Sequence, residues 1–271
     1  MARYEEAKML YLQGKSLRKI SEELGINRKL LSRKLKEDGI IIRDINKNNI
    51  SKSKRFHQLN DTIFEIIDTE EKAYWLGFLY ADGYISKDRG IELTLKESDY
   101  EHLKKFQKFM GCDNDIVYRK QQKAYRIGVY SKKIAEDLIK LGCFQAKSYI
   151  LQFPTKEQVP DHLVPHFMRG YFDGDGCIAY SQGQLRFSVI STPEFLDVYE
   201  YYILKISNRS NNNKRLKRSD WSERTETISY AGNCQVQKIF NFLYNNATIY
   251  LERKHAKFIA VLGQKEDNIE S

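Results

Sequence analysis

Residues 73–85 read AYWLGFLYADGYI, and residues 166–178 read HFMRGYFDGDGCI. With Gly83 set on Gly176, the two stretches align at an offset of 93 residues. Each is an apolar run of helical length that ends in Asp-Gly. Small residues recur four apart in both, Gly77 with Ala81 and Gly170 with Gly174. On one helix face such residues let two backbones approach closely. Two helices joined that way would bring the terminal carboxylates of Asp82 and Asp175 side by side. A carboxylate there meets the negative end of the helix dipole, and two together repel. A divalent cation held by hard oxygen ligands offsets both penalties. The paired stretch therefore reads as a metal site between two related halves.

The repetition continues beyond the helices. IELTLKESDYEHLKKF (91–106) matches LRFSVISTPEFLDVYEYY (185–202): an alternating strand, a polar turn and a helix. An acid-free basic stretch follows in each copy, from Arg119 to Arg126 and from Arg209 to Arg218. YRIGVY and ETISY then alternate as strands, and KKIAEDLIKLG and CQVQKIFNFLY read as helices. The fold class expected is α+β, a pseudo-symmetric pair of αββαββα subdomains over 61–155 and 156–271. Two copies of this length suggest paired subdomains, not a solenoid. In the strands, Ile91, Leu93 and Leu95 oppose Glu92, Thr94 and Lys96. Leu185, Phe187 and Val189 oppose Gln184, Arg186 and Ser188. One face of each sheet should be apolar and the other polar.

Ahead of the repeat, residues 1–38 read as a small all-α domain. A first helix is expected from Tyr4 to Gln13, ended by Gly14. Ser16 can cap a second helix carrying Leu17, Ile20 and Leu24. Gly25 supplies the positive φ of a tight turn, Ile26 enters the core, and Asn27 caps a third helix with Leu31 and Leu35. Residues 39–60, polar and basic, read as a linker able to follow a phosphate backbone.

SLRKISEELGINRKLLSRKLK resembles the helix-turn-helix of resolvase-like DNA-binding domains, with Ser21 where such motifs usually place Ala. That resemblance turns Asn27, Arg28, Lys29, Ser32 and Arg33 towards a major groove. WLGFLYADG and MRGYFDGDG resemble the two motifs of the LAGLIDADG homing endonuclease family, in its two-motif monomeric form. The resemblance implies two saddle-shaped antiparallel sheets over the DNA major groove. It implies Asp82 and Asp175 as metal ligands and catalytic residues, with Ala81 and Gly174 in the metal-binding set. The family's earlier acid, mainly structural, is Asp173 in the second motif and Tyr80 in the first. The family also places a basic residue late in each half, here Lys147 in FQAKSYILQF and Lys254 in IYLERKHAKF, where it could hold or activate the attacking water. On the sheets, Arg119, Lys120, Gln122 and Arg126 are the expected DNA contacts of the first half. Gln182, Gln184, Arg186, Lys214, Arg215, Lys217 and Arg218 are those of the second.

The expected activity is site-specific hydrolysis of double-stranded DNA with Mg²⁺, Mn²⁺ being able to substitute, leaving short 3′ overhangs. The alternative is a DNA-binding regulator or intron-splicing cofactor on the same scaffold without cleavage. Composition agrees. Of 271 residues, 41% are hydrophobic and 30% charged, enough for a core and too much for a disordered chain. Residues 1–60 carry 15 Lys and Arg against 7 Asp and Glu, nearly the whole net charge of +9, which favours nucleic acid. Mean hydropathy is −0.60, so no membrane partner is expected. The four cysteines are scattered, the N-terminus lacks a signal-peptide pattern, and Asn, Lys, Ile and Tyr are abundant. A cytoplasmic monomer, bacterial or phage-encoded, is expected. An EF-hand beginning at Asp173 fails at its twelfth position, Gln184. The five histidines form no nuclease or zinc pattern.

Overall fold

The computed structural model describes residues 2–40, 42, 59–144, 150–207, 216–217 and 224–266. The chain divides into two compact units, residues 1–56 and 57–271. Most of the stretch read as a linker lies outside the described residues.

The first unit has helices α1 (Ala2–Leu12), α2 (Leu17–Leu24) and α3 (Arg28–Glu37). Ser16 Oγ accepts from Lys19 N at 3.3 Å and opens α2. Gly25 closes α2 with φ 62°, a left-handed conformation that a side chain would resist. Asn27 Oδ1 then accepts from Lys29 N and Leu30 N at 2.9 and 3.3 Å and opens α3. The turn is locked by Ser21, whose hydroxyl donates to the Ile26 carbonyl at 2.7 Å, a bond that Ala could not make. Ala7, Tyr11, Ile20, Leu31 and Leu35 form the core. Tyr4 and Lys8 both donate to Asp38, tying α1 to the end of α3. That pairing holds the Asp38 carboxyl below its usual range.

The second unit is a repeat. Its first copy runs α4 (Glu70–Asp82), β1 (Gly83–Ile85), β2 (Gly90–Lys96), α5 (Tyr100–Phe109), β3 (Val117–Arg119), β4 (Ala124–Tyr130) and α6 (Lys132–Lys140). Its second runs α7 (Val164–Asp175), β5 (Gly176–Ser181), β6 (Gln184–Ser191), α8 (Pro193–Ser207), β7 (Leu216–Lys217), β8 (Glu226–Ala231) and α9 (Asn233–Tyr244). A final helix, α10, covers Glu252–Glu266. Each copy makes one antiparallel sheet, ordered β1-β2-β4-β3 and β5-β6-β8-β7. The alternation in sequence is the alternation in burial: Ile91, Leu93 and Leu95 are buried, as are Leu185, Phe187 and Val189. One continuous core spans both copies. No described helix is long and apolar enough to cross a membrane.

The helices α4 and α7 hold the copies together. A Cβ placed on Gly77 would collide with the Phe167 carbonyl, and one on Gly170 with the Tyr74 carbonyl. A Cβ on Gly174 would collide with the Ala81 methyl. The backbones thus touch where the glycines leave room, and the contact is reciprocal, as a pseudo-two-fold axis requires. Alanine in place of a helical glycine usually stabilises by about 1 kcal/mol. Here Gly77→Ala and Gly170→Ala should each destabilise by about 3 kcal/mol instead, because the obstruction is backbone and cannot move aside. Urea unfolding of each variant measures this.

Candidate catalytic site at the paired helix ends

Asp82 and Asp175 are the last residues of α4 and α7, and both are exposed. The next residues, Gly83 and Gly176, are already extended, so each chain passes from helix directly into strand. The two ends are neighbours: a Cβ on Gly174 would stand 3.4 Å from Asp82 Oδ2. A carboxylate of one helix therefore lies against the last turn of the other. The buried Tyr171 hydroxyl, which donates towards Ile190 O and Ser191 Oγ at 3.0 and 2.8 Å, has its pKa raised by burial first and then by the charge of Asp175.

Lys254, in the first turn of α10, is 4% exposed. Its ammonium donates to the carbonyls of Phe172, Gly174 and Gly176 at 2.6, 3.1 and 2.6 Å. An ammonium has three donors, and all three are used. Lys254 thus caps the C-terminal end of α7 from inside, placing positive charge where the helix dipole and two carboxylates are negative. The sequence led to the expectation of a lysine that could hold or activate water and offset transition-state charge; in the structure its three donors meet backbone carbonyls at the helix end. Burial pushes its pKa down to about 8, against the opposing pull of Asp173, Asp82 and Asp175.

Asp173 and Tyr80 occupy the matching position in the two motifs and are both buried. Asp173 accepts from Tyr244 Oη at 2.6 Å, Leu251 N at 2.7 Å and Tyr74 Oη at 2.9 Å. Tyr80 instead donates to the Leu141 carbonyl, over Gly142, where a Cβ would collide with the Tyr80 hydroxyl. Each side chain ties its motif helix to the segment after the last helix of its own copy. One does so as acceptor from an N–H, the other as donor to a carbonyl. The Tyr74 hydroxyl proton goes to Asp173, so His102 donates to Tyr74 through Nε2, at 2.9 Å. Burial first, then Lys105 and Arg253, holds His102 down to about 3 and hence neutral.

Two carboxylates with backbone oxygens nearby suit a hard cation that keeps several waters, as Mg²⁺ does. Among the described residues, no group of three or more His, Cys, Asp or Glu is gathered for a metal. Of the backbone positions expected to join the metal set, the Gly174 carbonyl already accepts from Lys254. Ala81 packs its methyl against α7. Lys147 lies outside the described residues.

Away from the helix ends, Arg119, Lys120, Gln122 and Arg126 line one groove with Glu92, Thr94, Tyr118 and Gln121, about 480 Å³ in volume. Arg126 is held by Glu92 in an ion pair. Gln184 and Arg186 are exposed on the second sheet. Gln182 sits in the β5–β6 turn with φ 54° and accepts from Arg186 at 3.3 Å. Lys217 lies on β7; Lys214, Arg215 and Arg218 are outside the described residues. In the N-terminal unit, Arg28, Lys29, Ser32 and Arg33 line a groove of about 660 Å³ with Ser16, Leu17, Arg18 and Lys36. Asn27 spends its carbonyl oxygen on capping α3, leaving only its amide N–H₂ for a base.

Sequence reasoning did not single out Arg169. It is fully buried in α7 and donates to the carbonyls of Ile249 and Leu243 at 2.9 and 2.7 Å and to Glu70 at 2.7 Å. Its one visible signal is a cation among the apolar residues of its helix, Phe167, Met168, Tyr171 and Phe172, which a buried site must pair.

Residues 164–239 match the family model of a LAGLIDADG-like domain. The structure of the I-LtrWI LAGLIDADG homing endonuclease bound to target DNA is similar with a TM-score of 0.50, at 12% identity, over 77% of this chain and 92% of that one. That likeness is one of fold, and it reaches beyond the matched residues. The LAGLIDADG meganuclease I-CpaMI bound to uncleaved DNA has a TM-score of 0.46 at 13% identity, over 74% and 93% of the chains. I-SmaMI bound to an uncleaved DNA target with calcium ions has 0.48 at 13%, over 74% and 93%. Among curated protein sequences there is no match.

The buried Lys254 has a pH signature. Its pKa is about 8 when folded and 10.5 ordinarily, so between these values the unfolded chain binds more protons. Stability from this group therefore rises with pH over that interval. Relative to Lys254→Met, the wild type should gain stability as pH is raised from about 8 towards 10.5, read as a widening difference in urea midpoint.

Proposed function

We propose that this protein is a site-specific endonuclease that hydrolyses one phosphodiester bond on each strand of double-stranded DNA and leaves short 3′ overhangs. The observation that carries the reading is the meeting of Asp82 and Asp175 at the ends of two backbone-packed helices. The polar faces of the two sheets support it. Asp82 and Asp175 would hold divalent metal, Mg²⁺ or Mn²⁺, which when bound lowers the pKa of water and offsets charge on the phosphate. The chain's own residues supply the rest. Lys254 keeps the end of α7 rigid and positive, Lys147 is the candidate for the same place in the first half, and the exposed Arg, Lys and Gln of both sheets grip the duplex. One chain carries both carboxylates, so a monomer suffices. The N-terminal helices would add affinity for flanking DNA, chiefly through phosphate contacts.

One observation favours the second reading, a DNA-binding regulator or splicing cofactor. The Lys254 ammonium has no N–H left for water or phosphate. The two readings part on a duplex carrying the native locus without the gene, end-labelled on either strand. With Mg²⁺ the nuclease reading predicts one cut per strand, lost in Asp82→Asn with Asp175→Asn while binding in Ca²⁺ persists. Tight binding by the wild type without cutting in Mg²⁺ or Mn²⁺ leaves the regulator.

Deleting residues 1–59 removes 15 of 45 cationic side chains. Affinity should fall and the slope of log K against log salt should flatten, with the cut position unmoved. Binding isotherms at several salt concentrations, with mapped cut sites, report both.

A further inference from the structure

The polar face of the first sheet carries an ion pair that has no counterpart at the matching place on the second. Arg126 on β4 donates to the carboxylate of Glu92 on β2. The pair lies over Gly128, where a Cβ would stand 3.9 Å from Arg126 Nη2 and 4.0 Å from Glu92 Cγ. Both side chains remain in part exposed, at 30% and 27%. Arg126 Nε–H is buried without a partner, and Glu92 meets the guanidinium through Nη2.

The strand register locates the equivalent positions. Gly83 pairs with Leu93 and Leu93 with Ile127; in the second copy, Gly176 pairs with Val189 and Val189 with Ile228. Counting from these rows, Glu92 corresponds to Ser188, Gly128 to Ser229 and Arg126 to Thr227. The row that contains Glu92 begins at Tyr84, two residues beyond Asp82, so it is the part of the polar face next to the carboxylates.

We propose that Arg126 and Glu92 together read one G·C base pair in the half-target bound by the first repeat, and that the second repeat exerts no comparable selection at the matching position. This rests on the DNA-binding reading above. In the major groove guanine presents two acceptors, O6 and N7, and cytosine presents the N4 amino donor. A guanidinium and a carboxylate held side by side complement that edge, Arg126 towards guanine and Glu92 towards cytosine. An A·T pair puts the N6 amino donor of adenine where guanine has O6, and the O4 acceptor of thymine where cytosine has its amino group, so the pair fails on both. Hydroxyls such as those of Ser188, Ser229 and Thr227 donate or accept and tolerate any base. Glu92 also puts a negative charge on a face that meets phosphates. It opposes binding in general and restricts binding to the sequence that satisfies it.

The test is selection of bound duplexes from a randomised library by the full-length protein in Ca²⁺, for wild type, Glu92→Gln and Arg126→Met. The wild type should enrich a site with one invariant G·C pair in one half. Glu92→Gln should lose roughly 5- to 150-fold of preference at that pair alone, and bind unselected duplex more tightly than the wild type. Arg126→Met should lose the same preference without the gain in unselected binding. Retention of the G·C preference in Glu92→Gln overturns the proposal, as does an even loss of selectivity across the whole site. A wild type that enriches no sequence overturns the DNA-binding reading and this proposal with it. A sharply enriched wild-type site that neither variant alters overturns this proposal only.

Discussion

Everything at the candidate site depends on the distance between two helix backbones. Gly77 and Gly170 each face a carbonyl of the opposite helix with no space for a methyl group. That contact is dispersion and exclusion of volume, with no charge in it, and it sets how near Asp82 and Asp175 come. Strand β1 starts directly after α4 and β5 directly after α7, so the same contact also sets the spacing of the two sheets.

The close approach has an electrostatic cost. Two carboxylates and two negative helix ends share one small region, and the buried ammonium of Lys254 bears on the same helix end as a counter-charge. The network below is arranged to hold this strained end in place. Asp173 and Tyr80 tie each motif helix to its own copy, and Arg169 draws the carbonyls of Ile249 and Leu243 together with Glu70 of the first copy. Arg253 reaches Asp99 on the first copy at 2.9 Å, one residue from Lys254. The segment that carries the lysine is therefore anchored in both halves.

The architecture was legible because it is written in local periodicities. The i, i+4 glycines, the period-2 strands and the caps at Ser16, Gly25 and Asn27 each state a geometry that short stretches of chain decide alone. What could not be read is what long-range burial decides. IYLERKHAKF looks like the start of an amphipathic helix; only its packing against α7 shows that Lys254 is enclosed by three carbonyls. The exchange of Asp173 for Tyr80 reads as a lost acid in sequence, yet in the fold it swaps an acceptor for a donor at the same anchoring point. Glu92 and Arg126 stand 34 residues apart and meet only through the register of β2 with β4.

The central claim is that Asp82 and Asp175 share one electrostatic site. A double-mutant cycle of Asp82→Asn and Asp175→Asn, measured by thermal unfolding in EDTA and again in Mg²⁺, tests it most directly. In EDTA each single change should stabilise, and the second should add less than the first, because the repulsion is already gone. In Mg²⁺ the wild type should gain stability that either single variant loses. Additive effects of the two changes, the same with and without the cation, would contradict the account.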